Sequence, residues 1–233
     1  MLGVIVNTVA VIIGSLIGLL CKKGISKKIS DAIMTGIALC TLYIGISGSL
    51  KGENTIAVIL SMVLGAAVGT LLDIDGFLSG IGDRLEKRFA TGSGSGSISR
   101  AFLTASLLFC VGSMTIVGSL TAGLTGDYEM LFTKSVLDFI SAMMLTVSLG
   151  PGVLFAALFV LVFQGALVLL AGVLAPVLSD SSINEIICAG SLMIIGLGLN
   201  MLGITKIKVA DYMPALLFVP IVLWLLSYVP LIG

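Results

Sequence analysis

Lys134 and Asp138 stand four residues apart inside the apolar stretch Leu131 to Leu145. On a helix that spacing puts both on one face, where an ammonium and a carboxylate can neutralise each other. A charge in hydrocarbon costs about 3 kcal/mol or more unless it is paired or faces water. The pair must therefore look into protein. The chemistry it offers is a transport-site ion pair, with Asp138 able to bind a proton or a cation. The same residues also fit a structural tie between helices, and Lys134 is near enough to the span's edge to snorkel to the surface.

What must position this pair is a membrane bundle. Of 233 residues, 58% are hydrophobic and 10% charged, where a soluble domain has about a quarter charged. Several apolar runs reach the roughly 20 residues that cross a bilayer. The fold class is all-α: a polytopic transmembrane bundle of about eight spans. Span 1, Leu2 to Leu20, lacks the basic residues that open a signal peptide and should stay as a helix. Residues 1–73 hold spans 1–3, residues 74–100 an amphipathic helix and a Gly/Ser-rich linker, and residues 101–233 spans 4–8. Phe77, Leu78, Ile81, Leu85 and Phe89 share a helical face, as expected of a helix lying in the cytoplasmic membrane surface. Gly14 and Gly18 in span 1, and Gly65 and Gly69 in span 3, have the small-xxx-small spacing of close helix packing.

Lysine and arginine collect after span 1, between spans 3 and 4, and after span 7. Eight spans with both termini outside the cytoplasm put all three loops inside. Asp127, Glu129, Asp180 and Glu185 then lie outside. Asp211, beside Lys206 and Lys208, reads as part of an interfacial pair.

Spans 2, 4 and 7 share a spacing: Cys40 to Gly48, Cys110 to Gly118 and Cys188 to Gly196 are each eight residues apart. Cys110-Val-Gly-Ser-Met also matches Cys188-Ala-Gly-Ser-Leu, and a lysine and an aspartate follow each. Spans 4 and 7 point opposite ways in this topology, which is the pattern of inverted repeats in secondary transporters. Such proteins bind substrate at mid-membrane on helices broken at glycine. Ser113, Thr115 and Ser119 of span 4, with the amides Asn7, Gln164 and Asn200, are the candidate lining of a solute- or ion-binding site around Lys134 and Asp138. Close packing alone also accounts for these residue types.

The exclusions are equally plain. Net charge is zero, with 12 basic and 12 acidic residues, so nothing in bulk charge invites nucleic acid. There is no histidine, the commonest metal ligand. The four cysteines are far apart and read as small buried apolar residues. No catalytic motif is present, so neither an enzyme nor a cofactor is expected. The partners expected are the lipid bilayer, a small solute or ion, and a second copy in a homodimer. A non-transporting sensor or assembly protein acting through residues 74–100, or a passive channel, is the alternative.

Four stretches together carry a resemblance: Gly3-x-x-x-Asn7, Leu108-Phe-Cys-Val-Gly-Ser-Met-Thr-Ile-Val-Gly-Ser-Leu120, Lys134-Ser-Val-Leu-Asp138, and Gly190-Ser-Leu-Met-Ile-Ile-Gly-Leu-Gly-Leu-Asn200. The chain resembles the YdfK/YqgA-like integral membrane proteins, a domain of unknown function, over nearly its whole length. Members more often carry proline where this chain has Ser113. The resemblance implies a bacterial inner-membrane protein with a transport role, and it supplies no substrate.

Overall fold

The architecture is that of a computed structural model, which describes residues 1–22, 26–80, 98–110, 113–174 and 178–228. Among these residues the regular secondary structure is all helical. The helices are α1 (Leu2–Lys22), α2 (Lys27–Ser49), α3 (Thr55–Leu71), α4 (Ile74–Gly80), α5 (Ile98–Cys110), α6 (Ser113–Leu124), α7 (Glu129–Leu149), α8 (Gly152–Leu169), α9 (Ala171–Leu174), α10 (Asp180–Met201) and α11 (Ala215–Leu226). A 3-10 turn, Val209–Tyr212, precedes α11.

Six stretches are long and apolar enough to cross a bilayer, and two bent pairs raise the number to as many as eight. The bent pairs are α3 with α4, at 52°, and α5 with α6, at 57°. Eight crossings thus agree with the sequence. Span 4 starts earlier than expected, at Ile98, because Ile98 and Ser99 already join the helix. Span 7, by contrast, is a single unbroken helix of 22 residues. Its glycines serve packing: a Cβ at Gly198 would press on Leu42 of α2. Span 8 begins as the 3-10 turn and becomes α-helical only after Pro214, whose missing N–H suits a helix start. Of residues 74–100, expected as an amphipathic helix and a linker, Ile74–Gly80 form α4 and residues 98–100 open α5. Residues 81–97 lie outside the described residues.

Local chemistry sets the ends. Ser26, Asn54 and Ser179 cap α2, α3 and α10 by accepting from the backbone N–H groups of Ile29, Ala57 and Ser182. Gly150, at φ 95°, ends α7 in a conformation that only glycine adopts freely. The sharp turn before α8 follows from it.

Packing divides the bundle in two. α1 lies along α7 and α8, and α5 and α6 pack against α8. On the other side α2 lies along α10, and α3 lies along α11 and the 3-10 turn. The chain's first helix thus joins its central helices rather than its sequence neighbours.

Glycine makes both long contacts possible. A Cβ at Gly14 or Gly18 would overlap the carbonyl oxygen of Phe139 or Met143 on α7. A Cβ at Gly69 would overlap the carbonyl oxygen of Asp211, and one at Gly65 the backbone of Ala215. Each small-xxx-small helix therefore packs on one of the two acid-bearing segments that follow the Cys-x-Gly-Ser matches. Where α5 and α10 meet between the halves, Phe109, Leu107, Ile194 and Leu197 enter one apolar core.

Candidate functional site

Lys134 and Asp138 face inward from the first half of α7, and both are buried. Lys134 does not snorkel. Its Nζ donates to Asp138 Oδ2 in an ion pair along one helix face. Asn7 Nδ2 of α1 donates to the same carboxylate oxygen at 3.0 Å and to Gln164 Oε1 of α8 at 3.1 Å. Three helices are thus joined through one amide. The ammonium also lies 6.0 Å from the ring centroid of Phe109 on α5, at the outer range of a cation–π contact.

The cluster leaves polar capacity over. Asn7 Oδ1 and Gln164 Nε2 are buried with no hydrogen-bond partner among the described residues. A buried polar atom without a partner costs about 1–3 kcal/mol, so this small site holds an unmet demand for one acceptor and one donor.

Two cavities flank the contact between the halves. The first, about 330 Å³, is lined by Lys134 and Asp138, by Thr115 of α6, by Tyr43 and Ser47 of α2, and by Ser191 of α10. Lys51 also reaches it. The second, about 480 Å³, is lined by Asp75 of α4, Arg100 and Thr104 of α5, and the Asn200 to Ala210 loop. They lie at opposite ends of the same two helices. Along α5, Leu107 lines the second cavity while Leu108 and Phe109 line the first. Along α10, Leu197 lines the second and Ile194 the first. Three residues of helix rise about 4.5 Å, so the wall between the cavities is about one turn thick. α5 and α10 run antiparallel across it.

The sequence candidates separate accordingly. Asp138, Lys134, Asn7 and Gln164 come together, and Thr115 lines the adjoining cavity while donating to the Phe109 carbonyl at 2.9 Å. Ser119 is fully buried on α6, with no partner for its hydroxyl among the described residues, and lines neither cavity. The side chain of Ser113 lies outside the described residues. Asn200 belongs elsewhere: its Oδ1 accepts from Ile207 N and Thr205 Oγ1, and its Nδ2 donates to Ile207 O. It clamps the loop after α10 at the second cavity.

Two acids differ from expectation. Asp211 is 2% exposed and accepts from the backbone N–H of Asp75 at 2.8 Å. It is therefore not a surface partner of Lys206 or Lys208, and Lys208 instead reaches Asp73 at 3.6 Å. Glu185, expected at the outer face near the start of span 7, is fully buried in α10. Its Oε1 accepts from the N–H groups of Glu53 and Asn54, both at 2.6 Å, pinning the α2–α3 turn. Its place one helical turn before Cys188 was the signal available. Of the cysteines, Cys110 and Cys188 are buried, whereas Cys21 and Cys40 are exposed on the bundle. Among the described residues no three His, Cys, Asp or Glu side chains gather as a metal site would need.

Residues 2–224 match the family described as protein of unknown function, DUF554. The chain belongs to that family. It is 32% identical to the uncharacterized membrane protein YdfK of Bacillus subtilis (strain 168) over 97% of both chains. It is 28% identical to the uncharacterized protein YqgA of Escherichia coli (strain K12) over 93% of both. No solved structure matches it. DUF554 membership, an apolar helical bundle and a membrane-protein relative together make this a membrane protein seated in the lipid bilayer.

Proposed function

We infer that this DUF554 protein is a secondary transporter of a small solute or ion in the bacterial inner membrane, working by alternating access. The observation that carries the reading is the pair of cavities at opposite ends of α5 and α10, held apart by about one helical turn. A transporter needs two faces that share one site and are never open together. Rocking one half of the bundle against the other would thin the wall at Phe109 and Leu107 and thicken it elsewhere.

The buried cluster supplies the coupling. Asp138 is the binding or coupling acid and Lys134 its counter-charge, with Asn7 and Gln164 holding the acid in place. The antiparallel course of α5 and α10, and the glycine-paired helices packed on the two acid-bearing segments, favour an inverted repeat. Lys22, Arg100, Lys206 and Lys208 stand at the end that holds the second cavity. By the positive-inside rule that end is cytoplasmic and the termini lie outside.

Thiol labelling tests this without a known substrate. With the four native cysteines replaced, Ser141→Cys reports on the first cavity and Thr104→Cys on the second. In vesicles, an imposed proton gradient is expected to raise labelling of one and lower that of the other. Labelling of both at once, unaffected by the gradient, would indicate a passive channel. Reciprocal labelling that survives Asp138→Asn unchanged would remove the acid from the mechanism.

A further inference from the structure

We propose that the transported species is a small organic anion, a monocarboxylate with a compact apolar tail, that enters as the partner of Lys134 while Asp138 takes up a proton. This rests on reading the two cavities as alternating faces of one path.

Charge along that path is the first reason. In the first cavity two bases, Lys51 and Lys134, face one acid, Asp138. In the second, Arg100, Lys206 and Lys208 face Asp75. Retention of basic loops on the cytoplasmic side accounts for the second set. It does not account for Lys51 or for the buried Lys134, which stand at the other end. Basic residues in both cavities make the path favourable to anions.

The second reason is the cluster's geometry. A neutral solute would be held by amides and hydroxyls, and a cation by the acid alone. Lys134 lines the cavity beside its partner Asp138, so an entering carboxylate can compete for the ammonium. Asp138 Oδ2 already has a second donor in Asn7. When a carboxylate takes over the ammonium, Asp138 keeps the Asn7 amide and is neutralised by a proton. The proton comes from the solution that fills the open cavity and leaves to the opposite one with the anion. The charge of the site stays constant: one anion and one proton enter, and both leave.

The groups facing Asp138 are few. Lys134 lies on its own helix and the Cys110 thiol comes from α5. α1 and α8 present only the neutral Asn7 and Gln164, and α6 the neutral Thr115. α2 and the turn after it bring the Tyr43 phenol and Lys51, and α10 brings the Ser191 hydroxyl. Asp138 is thus the acid among them.

Size and wall chemistry define the tail. The first cavity, about 330 Å³, falls at the small end of the roughly 300–1,000 Å³ range of small-molecule sites. Leu108, Phe109, Met114, Leu137 and Ile187 form its apolar wall.

Benzoate fits these dimensions and serves as the probe, with neutral benzamide and choline chloride as controls at constant ionic strength. Thermal unfolding of the full chain in detergent is the readout. Benzoate is expected to raise the midpoint saturably, more at pH 5.5 than at pH 7.5, and benzamide and choline to leave it in place. Lys51→Gln, at an exposed position, should weaken the response several-fold. The double variant Lys134→Gln/Asp138→Asn keeps the site neutral and should fold yet lose the response. Stabilisation by choline, equal stabilisation by benzamide, or an undiminished response in the double variant would overturn the anion assignment. Reciprocal thiol labelling without a benzoate response leaves transport standing and removes the anion. Saturable benzoate binding without reciprocal labelling does the reverse.

Discussion

Asn7 donates to Asp138 across the α1–α7 contact, 131 residues apart in sequence, at 3.0 Å. The bond closes the first half of the bundle around its only buried ion pair among the described residues. The approach that permits it is set about two and three turns further on, where Gly14 and Gly18 let α1 rest on α7 carbonyls.

Removing Asn7 should therefore be felt as stability. Interhelical hydrogen bonds in membranes average about 0.6 kcal/mol, but one to an ionised acceptor is worth about 1.5–3 kcal/mol. Asn7→Ala is expected to cost about 2 kcal/mol, because the charged acceptor decides. Reversible unfolding in mixed micelles measures it. A loss below about 0.5 kcal/mol would mean that this bond does little to hold α1 on α7.

The ion pair should show strong coupling. Lys134→Ala alone strands a buried carboxylate and is expected to cost about 3–5 kcal/mol. Lys134→Ala with Asp138→Ala removes both charges and should recover most of that loss. The same double variant should carry no gradient-driven change in thiol labelling. Additive costs in the double-mutant cycle would show that the pair does not interact.

Glycine variants should divide by neighbour. Gly14→Ala and Gly69→Ala drive a Cβ into the carbonyl oxygens of Phe139 and Asp211 and should prise the helices apart. Gly36→Ala on α2 meets nothing within 4 Å. It is expected to leave stability unchanged or raise it by up to about 1 kcal/mol through helix propensity. Midpoints of thermal unfolding for the three variants, compared with the parent, decide the matter.

Glu185 should tolerate Gln but not Ala. Glutamine retains the Oε1 acceptor for Glu53 and Asn54, whereas Ala strands both N–H groups and should cost about 2–3 kcal/mol. Hydrogen exchange at the α2–α3 turn gives the local readout: faster exchange in Glu185→Ala and near-parent exchange in Glu185→Gln.

Much of this was legible in the chain. Apolar run lengths placed the spans, and the spacing of Lys134 and Asp138 placed the pair on one inward face. Gly14, Gly18, Gly65 and Gly69 foretold close packing, though not the partners, because spacing on one helix says nothing about which surface it meets. Asn7 and Gln164 were singled out for the cost of an amide in hydrocarbon. Asn200 was singled out for the same reason, yet it serves a loop, since span-edge amides and mid-span amides look alike in sequence. Asp211 and Glu185 were misplaced because hydropathy puts acids near span ends at the surface. It does not see that a turn's free N–H groups can draw a carboxylate inside.

The ring of Phe109 borders the barrier between the two cavities and also lies over the Lys134 ammonium. Whatever takes or releases that positive charge therefore tugs on the partition itself. In a transporter working as proposed, loading the site and unlatching the door would be one event, with little room for either to leak without the other.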